Sequence, residues 1–324
     1  MILILSNKWD VTIDFVVSEL TKRKHPFIRL NTEDITSNRV SIHLPDFRIL
    51  LSKNQQTYDL TRDINVIWYR RPGKPFDDVL ENQRPSLATQ KFVNDQWAIL
   101  IEALQLIPDV IWINSPDKND QMENKIRQLL LASKLGFQIP KTIVTNDSEQ
   151  AKQLAEKHDG QLVAKALYTP LIEEPNQDFF VFTNQIDITA LADDDEIRVC
   201  PIIFQKCLTP KIDYRVTVIG EKVFPVRIEY QPKQISHIDW RTVKEQIQFT
   251  LCKLPSDLED LCRKYVIANG LIFGAIDLIK YEGEFFFVEI NPNGEWGWLQ
   301  RPHNVPIAAT LCDVMIFYDR GMQS

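Results

Sequence analysis

The sequence predicts an α/β (α+β) protein of more than one domain, and three observations carry that reading. Short apolar strands alternate with amphipathic helices from the first residues, the second half reads as antiparallel hairpins, and 324 residues exceed what one ordinary domain core organises. Hydrophobic residues at 44% and charged residues at 25% sit near the globular average, which excludes long disorder and low-complexity arrays. Thirty-seven Lys and Arg against 44 Asp and Glu leave a net charge of −7, so wholesale binding to nucleic acid or an anionic membrane is disfavoured.

Met1 to Leu5 reads as a buried strand, Thr12 to Lys24 as a helix and His25 to Leu30 as a second strand, together a βαβ opening. Val40 to Leu44, Phe47 to Ser52 and Asn65 to Tyr69 add strands, and Pro85 to Leu106 keeps helical periodicity for roughly six turns. Within it, Trp97 to Ile107 is interrupted by Glu102 and Gln105, which predicts a buried amphipathic helix and not a membrane span of about 18 apolar residues. Met1 to Leu5 runs straight into Ser6-Asn7-Lys8, too short for a signal-peptide core.

Asn114-Ser115-Pro116-Asp117 is turn chemistry, and a first domain is placed at residues 1–115. A helix over Asp120 to Leu135 ending at Gly136, a strand at Lys141 to Thr145, a helix over Asp147 to His158 and a strand at Leu162 to Ala166 predict a central lobe at 116–200. Strands at Ile202 to Lys206, Tyr214 to Ile219 and Lys222 to Tyr230 follow, then a helix over Asp257 to Ala268. A hairpin of Leu271 to Tyr281 with Glu284 to Ile290 and a helix near Ile307 to Phe317 complete a C-terminal lobe at 201–324.

Glycine is scarce, 10 residues in the chain, and neither a P-loop string nor a Rossmann fingerprint occurs. Five cysteines, Cys200, Cys207, Cys252, Cys262 and Cys312, have no C-x-x-C spacing and read as free thiols of a reducing cytoplasm. The five histidines show no metal spacing, and no G-x-S-x-G or Cys/His pairing marks a nucleophile.

The sharpest constellation is the last hairpin. If Glu282-Gly283-Glu284 forms a three-residue loop, Asp277 faces Glu289 across the pair, and Asn291, two residues on, shares that face. Two carboxylates and an amide converging without His or Cys suit Mg²⁺; the alternative is that both carboxylates pair with Arg or Lys. Lys165 lies in an apolar strand, where its ammonium needs an anion such as a phosphate unless it snorkels out. Lys125 sits in a helix, where solvated lysines are common. Arg215 and Arg227 lie in apolar strands and suit forked recognition of phosphate or carboxylate, with salt bridges to Asp213 or Glu229 as the competing explanation.

A loop carrying Asp239-Trp240-Arg241 could grip a ligand or be plain surface. Of Trp296 and Trp298, one should pack in the core and one border the site. Trp68-Tyr69-Arg70-Arg71 ends a strand, facing a ligand or carrying ordinary surface charge.

In order and spacing, Lys125, Lys165, the Pro201 to Gln205 strand, Arg215, Asp277 and Glu289-Ile290-Asn291-Pro292 resemble the ATP-grasp ligases over residues 115–300. With Trp68-Tyr69-Arg70-Arg71, Asp239-Trp240-Arg241 and the run to Glu295-Trp296, nearly the whole chain looks like the graspetide (microviridin-type) peptide macrocyclases. The resemblance implies an ATP-grasp fold behind an N-terminal pre-ATP-grasp domain. It implies ATP held by Lys125 and Lys165 on the phosphates, a hinge of Phe204, Gln205, Lys206 and Cys207 on the adenine side, and Mg²⁺ on Asp277, Glu289 and Asn291. Asp213 and Arg215, matching the family's Asp-x-Arg string, would orient the acidic side chain with Arg241 assisting. Asp194, Asp195 and Glu196 would grip the leader of a ribosomal precursor peptide, unless they are a solvated charge run.

The implied activity is phosphorylation of Asp or Glu side chains, then closure of esters with Ser or Thr or of amides with Lys, by a cytoplasmic homodimer. Two departures stand out: Lys206 follows the hinge glutamine where many relatives have an acidic residue, and Tyr168 to Glu174 lacks the glycines of a phosphate-covering loop. The alternatives are a ligase adding a free amino acid to a peptide or protein, and a peptide- or nucleotide-binding protein without turnover.

Overall fold

In a computed structural model of the chain, residues 1–158, 160–168, 171–174, 177–180, 183–191, 194–230, 247–301 and 303–321 are described. The chain divides into two compact units, Met1–Asn119 with Gly270–Phe273 and Glu295–Ser324, and Asp120–Asn269 with Gly274–Gly294. Three consecutive domains were the sequence expectation; the contacts instead give two units, each interrupted in sequence.

The first unit opens with β1 (Ile2–Ser6), α1 (Val11–Lys22) and β2 (Phe27–Asn31), followed by β3 (Arg39–His43), β4 (Arg48–Lys53), β5 (Gln56–Asp59), α2 (Leu60–Asp63) and β6 (Val66–Tyr69). After α3 (Leu87–Ala103) and β7 (Ile111–Ile113), α4 (Pro116–Glu123) follows. A parallel sheet runs β2-β1-β6-β7, and central β1, covered on both faces, is buried along its whole length, as an uninterrupted Ile-Leu-Ile-Leu run demands. Strands β3, β4 and β5 form a separate antiparallel sheet. The short β5 has no apolar run to announce it.

Helix α3 differs from expectation. No residue of it is buried, and Leu87, Phe92 and Ile99 are exposed at 83%, 64% and 64%; the periodicity marks an apolar face, not its cover. Leu104 and Ile107, just beyond the helix, do enter the core.

The second unit holds α5 (Lys125–Leu135), β8 (Thr142–Thr145), α6 (Ser148–Glu156), β9 (Gln161–Lys165), β10 (Leu171–Glu174), β11 (Gln177–Phe180), β12 (Asn184–Asp187), α7 (Asp194–Arg198) and β13 (Ile202–Lys206). It continues with β14 (Ile212–Ile219), β15 (Lys222–Tyr230), β16 (Ile247–Leu251), α8 (Ser256–Ala268), β17 (Phe273–Tyr281) and β18 (Glu284–Asn291). One helix over Asp120 to Leu135 was expected; the chain breaks at Asn124, whose side chain caps α5 by accepting from the Arg127 N–H at 2.9 Å. Gly136 ends α5 in the left-handed conformation, φ 109°.

Two antiparallel sheets organise this unit, β12-β9-β13-β8 and β16-β15-β14-β17-β18. Strand β13 therefore pairs with β8 and β9 of the central segment and not with the C-terminal strands, so a boundary after residue 200 separates it from its own sheet. The glycine-poor stretch from Tyr168 carries β10, paired with β11, where relatives were expected to have a loop.

The chain ends in the first unit with α9 (Gly297–Gln300) and α10 (Ile307–Asp319), which packs on α1, β1 and β6. Trp296 is fully buried there, its ring 6.2 Å from Phe15. Half-buried Trp298 donates to the Glu295 carbonyl. Arg70 is also buried, donating to Asp10, the N-cap of α1, at 2.9 Å and to Glu295 at 3.1 Å, while Arg71 reaches Glu295 at 2.8 Å. The strand-end arginines thus form a fixed ion network and not loose surface charge.

Asn114 ties residues 270–273 into the first unit: its amide donates to the Phe273 carbonyl at 2.9 Å and accepts from the Ile272 and Phe273 N–H groups at 2.8 and 3.1 Å. Leucine has the right size but orphans these buried groups, so Asn114→Leu is expected to lose about 3 kcal/mol of stability in urea unfolding.

Candidate active site

The hairpin β17/β18 builds the carboxylate pair by a route the sequence did not suggest. Its turn has two residues, Glu282 at φ 50° and Gly283 at φ 88°, so Tyr281 opposes Glu284 and the ladder runs Lys280–Phe285, Ile279–Phe286, Leu278–Phe287. An uninterrupted ladder would set Val288 opposite Asp277 and turn Glu289 to the other face. Instead the register shifts between Asp277 and Leu278, Val288 becomes the extra residue of a bulge, and Glu289 opposes Asp277. The expected three-residue loop is corrected to a tight turn plus a bulge; the facing pair is the same.

Asn291 completes the cluster, its amide 3.3 Å from Asp277 and 3.5 Å from Glu289. Both carboxylates are largely buried, and each has a cation beside it: Arg215 Nε lies 3.2 Å from Asp277 Oδ1, and Lys125 Nζ 3.9 Å from Glu289 Oε2. The ion-pair alternative is therefore realised in part, by the same two cations the resemblance assigns to phosphates and substrate. Lys125 also donates to the Ala166 carbonyl at 3.1 Å, and buried Arg215 lies 3.5 Å from the Ala275 carbonyl.

A cleft adjoins the pair along the same strands: Ile279, two residues from Asp277 on one face of β17, and Val288 of the bulge both line it. Its polar wall is Lys165, Gln205, Lys206 and Lys211, with Cys207 beside them. Gln205 is buried and donates to Thr142 Oγ1 at 2.9 Å, and Lys206 sits 5.2 Å from the Tyr281 ring centroid in a cation–π contact. Phe204 alternates to the opposite face of β13 and packs with Ala151, Ala155, Leu162 and Leu191, so its side chain belongs to the core and not to the cleft.

Lys211 escaped the sequence reading, although Lys211-x-Asp213 is a same-face spacing on a strand. Its ammonium grips Asp213 at 2.6 and 2.7 Å, and Tyr230 donates to the same carboxylate at 2.9 Å. Asp213 is thereby fully engaged by protein groups, two residues along β14 from Arg215. Arg227, on the other face, pairs with Glu229 at 2.8 Å. Asp194, Asp195 and Glu196 fall in α7, with Asp195 exposed. Arg241, with Asp239 and Trp240, lies outside the described residues.

Among the described residues, no three His, Cys, Asp or Glu side chains form a metal cage, and no helix is long and apolar enough to cross a membrane. The donor set fits a hard cation none the less: Mg²⁺ is usually held through one or two carboxylates plus substrate phosphates and waters, and Asp277, Glu289 and the Asn291 amide oxygen are hard oxygens. In the structure the amide nitrogen faces the carboxylates, the orientation that satisfies them by hydrogen bonding; rotation of the amide presents the oxygen instead.

No protein-family profile matches the chain. Among solved structures it superposes on macrocyclase MdnC of Microcystis aeruginosa MRC, bound with precursor peptide MdnA, with TM-score 0.83 and 23% identity over 97% of this chain and 99% of that one. A RiPP-associated ATP-grasp ligase of Chryseobacterium gregarium, in complex with ADP and a leader and core peptide, gives TM-score 0.82 and 29% identity over 97% and 96%. A tetrahydromethanopterin:alpha-L-glutamate ligase of Methanocaldococcus jannaschii is 22% identical over 221 residues, 64% of this chain and 70% of that protein. The fold is that of the ATP-grasp ligases. Within that class the likeness to macrocyclases MdnC and MdnB and to the RiPP-associated ATP-grasp ligase runs nearly end to end.

Thiol labelling reports on the cleft. Burial pushes the Cys207 thiol up, against a smaller opposing pull from Lys211, and pushes Cys262 and Cys312 up to about 12. Iodoacetamide at pH 8, read by peptide mass spectrometry, is expected to modify exposed Cys200 first and Cys207 more slowly, with Cys262 and Cys312 reacting only on unfolding.

Proposed function

We propose that the chain is an ATP-dependent ligase that closes rings in a ribosomally made precursor peptide. The observation that carries this reading is the bulged hairpin, which brings two carboxylates and an amide together on strands that also line a cleft with Lys165, Lys206 and Lys211. The near full-length likeness to ligases solved with precursor peptides supports the substrate class. The structures of ATP-grasp ligase PsnB with minimal precursor, Mg and ADP support ATP and Mg²⁺ as the partners of the cleft.

In this mechanism Gln205 to Cys207 would hold the base of the nucleotide, and Lys165 and Lys125 would hold its phosphates. Asp277, Glu289 and Asn291 would hold Mg²⁺, which would supply neutralisation of the phosphate charge during phosphoryl transfer. A substrate Asp or Glu oxygen attacks the γ-phosphorus and ADP leaves. A hydroxyl of Ser or Thr, or a Lys amine, then attacks the acyl carbon, and inorganic phosphate leaves with the hydroxyl's or amine's proton passing to solvent. Arg215 supplies the guanidinium facing the activated carboxylate, held in place by Asp277, with Asp213 fixed beside it by Lys211 and Tyr230. Arg241 and the acidic residues Asp194, Asp195 and Glu196 complete the proposal as peptide contacts, acting in the cytoplasm. A second copy of the chain, as the resemblance implies, would cover the exposed apolar face of α3.

The test incubates the protein with ATP, Mg²⁺ and the short peptide encoded beside its gene, followed by intact mass. Loss of about 18 Da per ring is the expected result. A gain of one amino-acid residue would instead support the ligation seen in the glutamate ligase's name, and unchanged mass would remove the macrocyclase reading. Asp277→Ala and Glu289→Ala are each expected to abolish mass loss while far-UV circular dichroism stays native. Retained Mg²⁺-dependent turnover in both would overturn the metal assignment.

A further inference from the structure

Strand β18 is the outer edge of its sheet, so every second residue turns its N–H and C=O away from β17 with no strand to receive them. Ile290, between Glu289 and Asn291, is such a residue. Its free edge is not capped by solvent or by another strand. The side-chain amide of Gln128 lies against it, Oε1 accepting from the Ile290 N–H at 3.0 Å and Nε2 donating to the Ile290 carbonyl at 2.9 Å. Nε2 also donates to the Met122 carbonyl, and Gln128 is 2% exposed, so the amide is fully used and cannot turn. On the far side of the bulge, the Phe287 N–H donates to the Gln138 carbonyl at 2.8 Å. The edge is therefore gripped on both sides of Val288, the residue whose insertion turns Glu289 toward Asp277.

Helix α5 carries this grip on the same face as Lys125, one turn earlier, and Tyr265 fixes the helix at that point by donating to the Gln128 carbonyl at 3.0 Å. A single residue thus sets the height of Lys125 over Glu289 and the direction of the two side chains that flank Ile290. We propose that Gln128 is the positioning residue of the cation site: its amide locks the bulged register of β18, so that Glu289 and Asn291 face Asp277 together. This rests on the reading of those three residues as Mg²⁺ ligands. Hydrogen-bonded support around metal ligands typically changes affinity by roughly 10- to 100-fold.

The experiment measures Mn²⁺ binding in the presence of ADP by electron paramagnetic resonance, with no turnover required. It compares the unaltered protein, Gln128→Met, Gln128→Glu and a destabilising control, Val266→Ala, in the buried face of α8. Gln128→Met removes both hydrogen bonds to Ile290 and the one to Met122 at near-constant volume, and Gln128→Glu keeps the acceptor but loses the donor. Both are expected to weaken Mn²⁺ binding by roughly 10-fold or more, while Val266→Ala, with a lowered melting temperature, binds as the unaltered protein does. Unweakened binding by folded Gln128→Met overturns the proposal, as does equal weakening in Val266→Ala at the same loss of melting temperature. If the unaltered protein binds no Mn²⁺ with ADP, the metal reading itself falls, a result distinct from either.

Discussion

One inserted residue governs the candidate site. Strand geometry sends successive side chains to opposite faces, so the parity of β18 decides whether Glu289 meets Asp277 or turns its back on it. The tight Glu282-Gly283 turn sets the wrong parity, and the bulge at Val288 restores the useful one. Bulges disturb a ladder and leave main-chain groups unpaired, and they are commonest at sheet edges such as this one. Here a side-chain amide and a loop carbonyl take up the outward-facing groups on either side of the irregularity. The chemistry of the cluster and the irregularity of the strand are one feature.

The second constraint is charge. Two carboxylates across a strand pair repel when ionised, and their partial burial strengthens that repulsion. Arg215 and Lys125 come from β14 and α5, so four separate elements converge on a locally neutral cluster. On the proposed reading, neutrality suits a site through which highly charged ligands pass: incoming phosphate would compete for the cations and an incoming cation for the carboxylates. The cleft beside it has a different character. Lys165, Lys206 and Lys211 crowd one wall, while Ile279 and Val288 offer apolar surface, a combination matched to an anion joined to a flat ring.

Much of the fold was legible because periodicity reports which side of an element is apolar. Strands β1, β13, β14 and β15 and helices α6, α8 and α10 follow their patterns to within a few residues. Periodicity does not say what covers an apolar side, so α3 read as buried while its face stands exposed. Nor does sequence order name a strand's partners, which is why β13 read as part of the C-terminal lobe while it pairs with β8 and β9. At the site, the facing of Asp277 and Glu289 could be reached from spacing, though through the wrong turn. Gln128 could not, because a glutamine bonded to a main chain far along the sequence looks like any helical glutamine. Lys211 and Tyr230 escaped for the same reason: their roles lie in what they touch.

The first unit is discontinuous in sequence, and this bears on how the protein is made. Helix α10 packs on α1, β1 and β6, and residues 270–273 are bound by Asn114, so the first unit is completed by segments far along the sequence. During synthesis, the parallel sheet leaves the ribosome with the side that α10 covers bare, and stays so until α10 itself emerges. The second unit has all its parts by Gly294 and can close first. Vectorial folding from the N-terminus, the usual order for multidomain chains, is therefore reversed here. The apolar strands of that sheet must remain soluble in the meantime, which makes the interval before α10 emerges the period of greatest exposure to misassembly.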